Sequence, residues 1–262
     1  MPGALDFLRK NATIKKKNER EVIVHMKKHK IIPVFIFFVV VLAAAGGIWF
    51  RCKDTGPAGK RVSDQKTFPQ FHSETDQDKD GIDDQTDILK GALDYVATKP
   101  KYKSQYYNGG YPDDGYGVCT DVVAFAMKAA GYDLMRLVAK DVEQHMDAYD
   151  IDQPDPNIDY RRVKNLQVYF GRHAQSLATD VSDVEEWQGG DIVIFRKHIG
   201  IVSDKRNKNG VPYVIHHYSP WQRSYEQDIL ERRSDIVGHY RWNFGNESGE
   251  KAKQNKTTQN SR

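Results

Sequence analysis

The chain has 262 residues, a formal net charge of +3 and two cysteines, which allows one sizeable domain with appendages and excludes a disulfide-rich scaffold. The positive charge is concentrated at one end. Residues 1–30 contain nine Lys or Arg and three Asp or Glu, a charge of +6, so the rest of the chain sums to −3. Nucleic-acid binding by the folded part is therefore not expected.

An apolar segment follows the basic N-terminal tail. Residues 31–50 read IIPVFIFFVVVLAAAGGIWF and contain no charge, and a helix of this length spans about 30 Å, the thickness of one bilayer core. We interpret it as an uncleaved transmembrane anchor; the alternative is a cleaved signal peptide, whose apolar region is usually ~7–15 residues. The Lys and Arg residues before the span predict a cytoplasmic tail (residues 1–30) and a main domain outside the cell.

An acidic loop follows a predicted linker, residues 51–75. Carboxylates stand at its first, third and fifth positions and a glycine at the sixth, a spacing typical of calcium-binding loops. The predicted ligands are Asp76, Asp78, Asp80, the carbonyl oxygen of Ile82, Asp84 and Asp87. We expect a structural Ca²⁺ ion here, because the loop precedes the core; the alternative is an acidic surface loop or helix cap without a metal.

A glycine-bearing turn then leads into an apolar, alanine-rich segment. The segment predicts a helix from about Cys119 to Ala130, which Gly131 would end. At the helix N-terminus, unpaired backbone N–H groups and the helix dipole would favour the nucleophilic thiolate of Cys119. The alternative role for this cysteine is that of a small buried apolar residue. Asp121 is interpreted as a charge that the helix N-terminus favours, not as a catalytic acid.

The remaining pattern predicts further helices and a sheet. Apolar residues at helical spacing indicate helices at residues 86–97 and 141–149, whereas residues 161–174 mix helical and strand signals and stay open. Strands are predicted at residues 191–195, 198–203, 211–218 and 236–242. Helices that precede strands favour an α+β fold with an antiparallel sheet, and the polar residues 245–262 predict a disordered tail.

The predicted strands carry histidines that would complete a cysteine nucleophile. His198 begins one strand and His216 ends the next, and histidines on neighbouring strands can face the same side. We therefore predict Cys119 as nucleophile, His198 as base and His216 as the group that orients the base. Since His216 and His217 alternate faces, only one of them can face Cys119, and the pattern alone does not choose.

Several motifs in this order resemble a bacterial family known as domain of unknown function 1287, over roughly residues 76–243. They are Gly117-Val-Cys119-Thr-Asp121, Arg161-Arg-Val-x-Asn165-Leu166, Gly190-Asp191-Ile-Val, His198-Ile-Gly-Ile-Val-Ser-Asp204, Val214-Ile-His216 and Gly238-His-Tyr-Arg241. That family is similar to the NlpC-type, papain-like superfamily of cell-wall cysteine peptidases. The resemblance implies a catalytic set of Cys119, His198 and His216, and its Ile-His pair selects His216 over His217. The superfamily's usual Asp-Cys-Ser/Gly context is Val-Cys-Thr-Asp in this chain.

Together these features predict an α+β, papain-like (NlpC-type) domain over residues 76–244, with the nucleophile helix packed on an antiparallel sheet and one transmembrane helix before it. The predicted function is that of a membrane-anchored extracytoplasmic cysteine amidohydrolase or peptidase. It would cleave peptide or amide bonds in peptidoglycan, or a cell-wall peptide, by a Cys–His–His mechanism. The alternative is a non-catalytic, calcium-stabilised surface module that binds the cell wall or a partner protein.

Overall fold

The computed structural model describes residues 68–242. The predicted cytoplasmic tail (1–30), the anchor (31–50), most of the linker (51–75) and the C-terminal tail (245–262) lie outside the described residues. Between residues 68 and 242, no helix combines the length and apolar character needed to cross a bilayer.

The α-helices precede the strands of the main sheet along the described chain, as expected for the α+β class. The α-helices are α1 (Asp84–Ala97), α2 (Cys119–Ala129), α3 (Leu134–Gln144), α4 (Pro156–Asp159) and α5 (Val163–His173), and short 3₁₀ turns lie at Met146–Ala148 and Leu230–Arg232. The strands are β1 (Lys101–Tyr102), β2 (Tyr116–Gly117), β3 (Gln175–Ser176), β4 (Ile192–Phe195), β5 (His198–Arg206), β6 (Pro212–Ile215), β7 (Glu226–Gln227) and β8 (Ile236–Arg241).

Six strands form one antiparallel sheet in the order β3-β8-β4-β5-β6-β7. A two-residue connection joins β4 to β5, with Phe195 paired to His198. Strand β5 also pairs with β6, where Ile201 lies opposite Ile215. These two pairings, with β4 on one side and β6 on the other, place β5 in the interior of the sheet. The separate pair β1-β2 is parallel and ends just before Cys119.

The central strands bury both of their faces, which explains their continuous apolar runs. One face, which includes Ile192, Ile194, Ile199, Ile201 and Ile215, packs in the same apolar cluster as α1 and α2. The opposite face contributes a second cluster with Trp187 and Leu230, and its strand members are Val193, Phe195, Val202 and Val214. Because successive side chains alternate between faces, each strand supplies residues to both cores.

The structure corrects two of the predicted elements and resolves one segment that the sequence left open. The helix predicted at residues 141–149 is wrong: α3 begins at Leu134, where Asp133 accepts a hydrogen bond from the Arg136 N–H, and only a 3₁₀ turn follows. The open segment 161–174 is helical as α5. The third predicted strand is shorter than expected, because β6 ends at Ile215 and leaves His216 just beyond it.

Candidate active site

Cys119 is the first residue of α2, as the sequence predicts. A short network fixes this helix start: the Val118 N–H donates to the Asp121 carboxylate at 2.8 Å. The same carboxylate accepts two hydrogen bonds from the Arg161 guanidinium, at 2.7 and 2.8 Å, and both side chains are buried. Asp121 therefore holds the turn that presents the thiol, in agreement with its predicted non-catalytic role.

The two predicted histidines lie in direct contact. His198 is the first residue of β5, and its Nε2 lies 2.9 Å from Nδ1 of His216. Both side chains are almost fully buried. Their approach depends on Gly200, because a Cβ at that position would lie 2.6 Å from Val214 Cγ1 and 3.2 Å from His216 Cβ. The hairpin β5-β6 thus brings together the pair that the sequence predicts.

A third residue, Gln227, extends this pair into a chain. Its Oε1 lies 2.8 Å from Nε2 of His216, and β7 carries it beside β6 with Gln227 paired to Val214. The sequence analysis missed this residue. A two-residue edge strand has no recognisable apolar alternation, so no local signal marked Gln227 before the sheet was known.

The hydrogen-bond chain selects one tautomer for each ring. The Gln227 carbonyl oxygen only accepts, so Nε2 of His216 must carry a hydrogen and its Nδ1 must accept. His198 therefore donates from Nε2, and in the neutral ring its Nδ1 keeps the lone pair. Nδ1 of His198 is consequently the basic atom that the site offers to an incoming proton.

Aromatic rings fix the plane of the His198 imidazole. Phe195 stacks on one side, with ring centroids 5.9 Å apart, and Tyr218 meets the ring edge-on at 5.5 Å. His217 takes no part in this arrangement. It lies between Tyr102 and Tyr225, with centroid distances of 5.3 and 5.1 Å. The structure therefore separates His216 from His217 as their alternation predicts.

Helix α2 packs on the face of β5 that carries Ile199 and Ile201, whereas His198, the first residue of the strand, alternates to the other face with Val202. Burial raises the pKa of Cys119 to about 11, while the nearby backbone N–H of Ile199, the residue after His198, acts in the opposite direction. Among the described residues, no hydrogen bond joins the Cys119 sulfur to an imidazole. The expected stabilisation of the thiolate by the helix N-terminus is thus outweighed by burial, and the resting thiol is protonated at neutral pH.

Both histidines are neutral at the same pH. Burial, followed by the neighbouring His216, lowers the pKa of His198 well below its usual value. Burial lowers the pKa of His216 to about 4, although its hydrogen bond with Gln227 acts in the opposite direction. The positive charge of Arg233 also lowers the pKa of both rings. The thiol and both imidazoles are therefore uncharged at neutral pH.

A braced loop forms one rim of the site. It connects β6 to β7 and exposes Tyr218 (59%) and Trp221 (76%), whose large apolar rings are unusual on a protein surface. Gln222 holds the loop closed, because its amide donates to the His216 and Ser224 carbonyl oxygens at 2.8 and 2.9 Å and accepts from the Tyr218 N–H. The hydrogen-bonded loop therefore presents Tyr218 next to His198 and exposes Trp221 three residues further along.

The acidic loop brings part of its predicted ligand set together. Asp76, Asp78 and Asp80 offer ligand oxygens that all lie within 4.8 Å of one another. The loop backbone is left-handed at Lys79 (φ 63°) and Gly81 (φ 93°), which turns the chain sharply between these carboxylates. The three side chains are exposed and accept hydrogen bonds from the loop backbone.

Asp84 and Asp87 behave differently from each other. Both carboxylate oxygens of Asp84 are engaged, by the Gln77 N–H at 2.8 Å and the Tyr132 hydroxyl at 2.6 Å, so Asp84 does not join the cluster. Asp87 is buried and its Oδ2 has no partner within residues 68–242. Burial, then the charges of Asp80 and Asp78, raise its pKa to about 6. Asp87 thus lies within electrostatic range of the cluster and keeps an unsatisfied buried oxygen, which fits a cation ligand.

The loop lies at the opposite end of α2 from the thiol. Gly131 follows α2 with φ 79°, and a Cβ there would lie 3.0 Å from Asp78 Cβ. An eleven-residue helix is ~16 Å long, so an ion in the loop would be remote from Cys119. This position agrees with the structural role predicted for calcium.

Comparison with known proteins identifies the family. The chain matches the model of the family described as Domain of unknown function (DUF1287) over residues 89–242. It is 38% identical over 152 residues to Uncharacterized protein YijF of Escherichia coli (strain K12), an alignment that covers 55% of this chain and 72% of that relative. No solved structure matches the chain significantly. The predicted family is thereby confirmed, and this chain belongs to the DUF1287 family.

Proposed function

We propose that the protein is a cysteine amidohydrolase or peptidase of papain-like (NlpC-type) fold. In this proposal it is anchored to the membrane through residues 31–50, faces the outside of the cell, and cleaves peptide or amide bonds in peptidoglycan. The observation that supports the proposal is the chain His198–His216–Gln227, which leaves a basic Nδ1 on His198 at the start of β5, the strand on which the Cys119 helix packs.

The reaction begins with a proton transfer. The Cys119 sulfur attacks the substrate carbonyl carbon as its proton passes to Nδ1 of His198, so a neutral pair becomes an imidazolium and a tetrahedral oxyanion. His216 accepts the hydrogen bond from Nε2 of His198 and stabilises this imidazolium, because a charged donor makes the stronger hydrogen bond. Neutral resting groups are compatible with this route, since the base acts during the attack and not before it.

The oxyanion then collapses and the C–N bond breaks. His198 returns its proton to the leaving amine, and an acyl-thioester remains on Cys119. Water attacks this thioester with His198 again as base, which releases the carboxylic acid and restores the thiol. The backbone N–H of Cys119, at the start of α2, is the donor that we assign to the oxyanion.

Product analysis tests the hydrolase. Purified full-length protein is incubated with peptidoglycan and with soluble wall fragments, and new amines or carboxylates are identified by mass spectrometry. We expect cleavage by the wild-type chain, none by Cys119→Ala, and retained cleavage by Cys52→Ala, a matched control that removes the other cysteine. Equal product formation by wild type and Cys119→Ala would refute the mechanism.

We also propose that the acidic loop binds a structural Ca²⁺ ion. The oxygens of Asp76, Asp78 and Asp80, together with the unsatisfied Oδ2 of Asp87, form the hard donor set that calcium prefers. Asp84 is left out of this set, because its two oxygens already accept hydrogen bonds from Gln77 and Tyr132. The ion would neutralise the carboxylates and tie the loop to the end of α2; no catalytic step is assigned to it.

The second candidate function is a binding module without catalysis. The protonated thiol and the exposed, braced Trp221 favour it, because a surface that binds sugar or peptide needs a rigid aromatic ring and no nucleophile. Under this hypothesis, Cys119→Ala would leave binding to isolated cell walls unchanged and no product would form from any wall fragment. Cosedimentation with peptidoglycan, measured beside the cleavage assay, separates the two functions.

A further inference from the structure

A cavity of about 330 Å³ opens next to the nucleophile. Val118, which precedes Cys119 and caps α2, forms part of its wall. The other lining residues are Ser104, Gln105, Tyr106, Ile158, Arg161 and Arg162. Ligand pockets usually range from ~300 to 1,000 Å³, so this one suits about one amino-acid residue better than a chain of sugars.

One of its two arginines is already neutralised. The Arg161 guanidinium binds both oxygens of Asp121 and also donates to the Gln105 carbonyl oxygen at 2.7 Å. It is buried, and it stacks against Tyr107 with its Cζ 5.0 Å from the ring centre. Arg161 is therefore a rigid wall of the cavity with no net charge to offer.

The other arginine is not neutralised. Arg162 is exposed, and within the described part of the chain its guanidinium makes no hydrogen bond or ion pair. The carboxylate that acts on it electrostatically is Asp159, which is occupied by the Asp155 N–H at 2.7 Å. No carboxylate side chain lines the cavity in the described structure. Arg162 is thus an arginine of the cavity that no described carboxylate holds in an ion pair.

The neutral polar side chains of the cavity, Ser104, Gln105 and Tyr106, indicate which groups a ligand could bind. The Tyr106 hydroxyl is held by the Asn157 amide at 2.9 Å, and the Gln105 amide by Asp114 at 2.7 Å. Within residues 68–242 the Ser104 hydroxyl has no hydrogen-bond partner, so Ser104 and Arg162 remain available. A hydroxyl and a planar guanidinium that line the same cavity suit a carboxylate, which can accept hydrogen bonds from both.

We propose that this cavity is a substrate subsite for a free carboxylate, contacted by Arg162 and Ser104 and placed beside the scissile bond. The inference rests on the proposed hydrolase and names its substrate class: an acidic peptide with the carboxylate on a residue next to the bond that is cut. The Arg161–Asp121 pair holds the wall between this subsite and Cys119.

Binding to the inactive full-length Cys119→Ala protein tests the subsite without turnover. Calorimetry compares an alanine–glutamate peptide with the corresponding alanine–glutamine peptide, which has the same size and no side-chain charge; both configurations of each are measured. A charge-assisted hydrogen bond predicts about tenfold tighter binding of the glutamate peptide, or more. Arg162→Ala should remove this preference, Arg162→Lys should keep part of it, and Arg136→Ala, an exposed arginine outside the cavity, should keep all of it.

The outcomes separate the subsite from the hydrolase. Equal binding of both peptides, no binding of either, or a preference that survives Arg162→Ala would overturn the subsite. If the charge preference depends on Arg162 but the wild-type chain cleaves no acidic peptide or peptidoglycan, the anion site stands and the proposed hydrolase is wrong. Because Arg162 is exposed and its side chain caps nothing, its variants should melt at the wild-type temperature.

Discussion

Replacement of Gln227 tests the tautomer chain directly. In Gln227→Ala the buried Nε2–H of His216 loses its acceptor, which costs about 1–3 kcal/mol. The ring avoids this cost when the hydrogen moves to Nδ1, where it faces His198. His198 must then accept at Nε2 and carry its own hydrogen on Nδ1, so it can no longer take a proton from Cys119. The productive tautomer should fall roughly fivefold to a hundredfold.

Alkylation of Cys119 by iodoacetamide at pH 7.5 measures this effect without a known substrate. In a Cys52→Ala background, the rate constant of Gln227→Ala should fall by the same factor. Gln227→Glu should stay close to wild type, because a carboxylate oxygen still accepts from His216. Nitrogen-15 NMR reads the tautomer of each ring independently. If Gln227→Ala keeps both the alkylation rate and the Nε2–H tautomer of His216, the reasoning is refuted.

Three further predictions concern stability. Burial lowers the pKa of His216 from 6.5 to about 4, so the unfolded chain takes up a proton before the folded protein does. The free energy of unfolding should therefore fall by about 3 kcal/mol as the pH decreases from 6.5 to 4. Urea unfolding across this pH range should show the decrease, and His216→Gln should make it smaller. Gly200→Ala should destabilise the protein by about 1–3 kcal/mol and slow alkylation, because the new Cβ would meet Val214, whereas Gly171→Ala in α5, where the nearest atom is 3.6 Å away, should leave or raise the melting temperature. Chelation of Ca²⁺ should lower the melting temperature of the wild type and not that of Asp87→Asn; a melting temperature that ignores calcium would contradict the proposed loop site.

Local patterns in the sequence predicted the elements that carry the site. Helix α2 was predictable because an apolar run stands between a glycine-bearing turn and Gly131, whose positive φ ends the helix. The contact of His198 with His216 followed from strand alternation across one hairpin. By contrast, the helix predicted at residues 141–149 overlaps only the last turn of α3. The prediction missed the N-cap Asp133 and therefore the start of the helix at Leu134.

Features that depend on tertiary packing were beyond the sequence. Gln227 joins the site only because β7 pairs with β6. A two-residue edge strand has too little sequence pattern for this pairing to be predicted. The direction of the Cys119 pKa shift was predicted wrongly for the same reason. The helix N-terminus is a local effect that can be read from the sequence, whereas the burial that outweighs it comes from α2 packing on β5.

The raised pKa of the thiol has a consequence for survival in an oxidising environment. Peroxides and disulfides react with the thiolate, and their rates follow the fraction of sulfur that is ionised. At pH 7 a free cysteine with a pKa of ~8.5 is about 3% ionised, whereas a thiol with a pKa of about 11 is ionised roughly 300-fold less. Cys119 would therefore resist sulfenic acid formation in the resting protein, and would become nucleophilic as His198 takes its proton during attack on an electrophile.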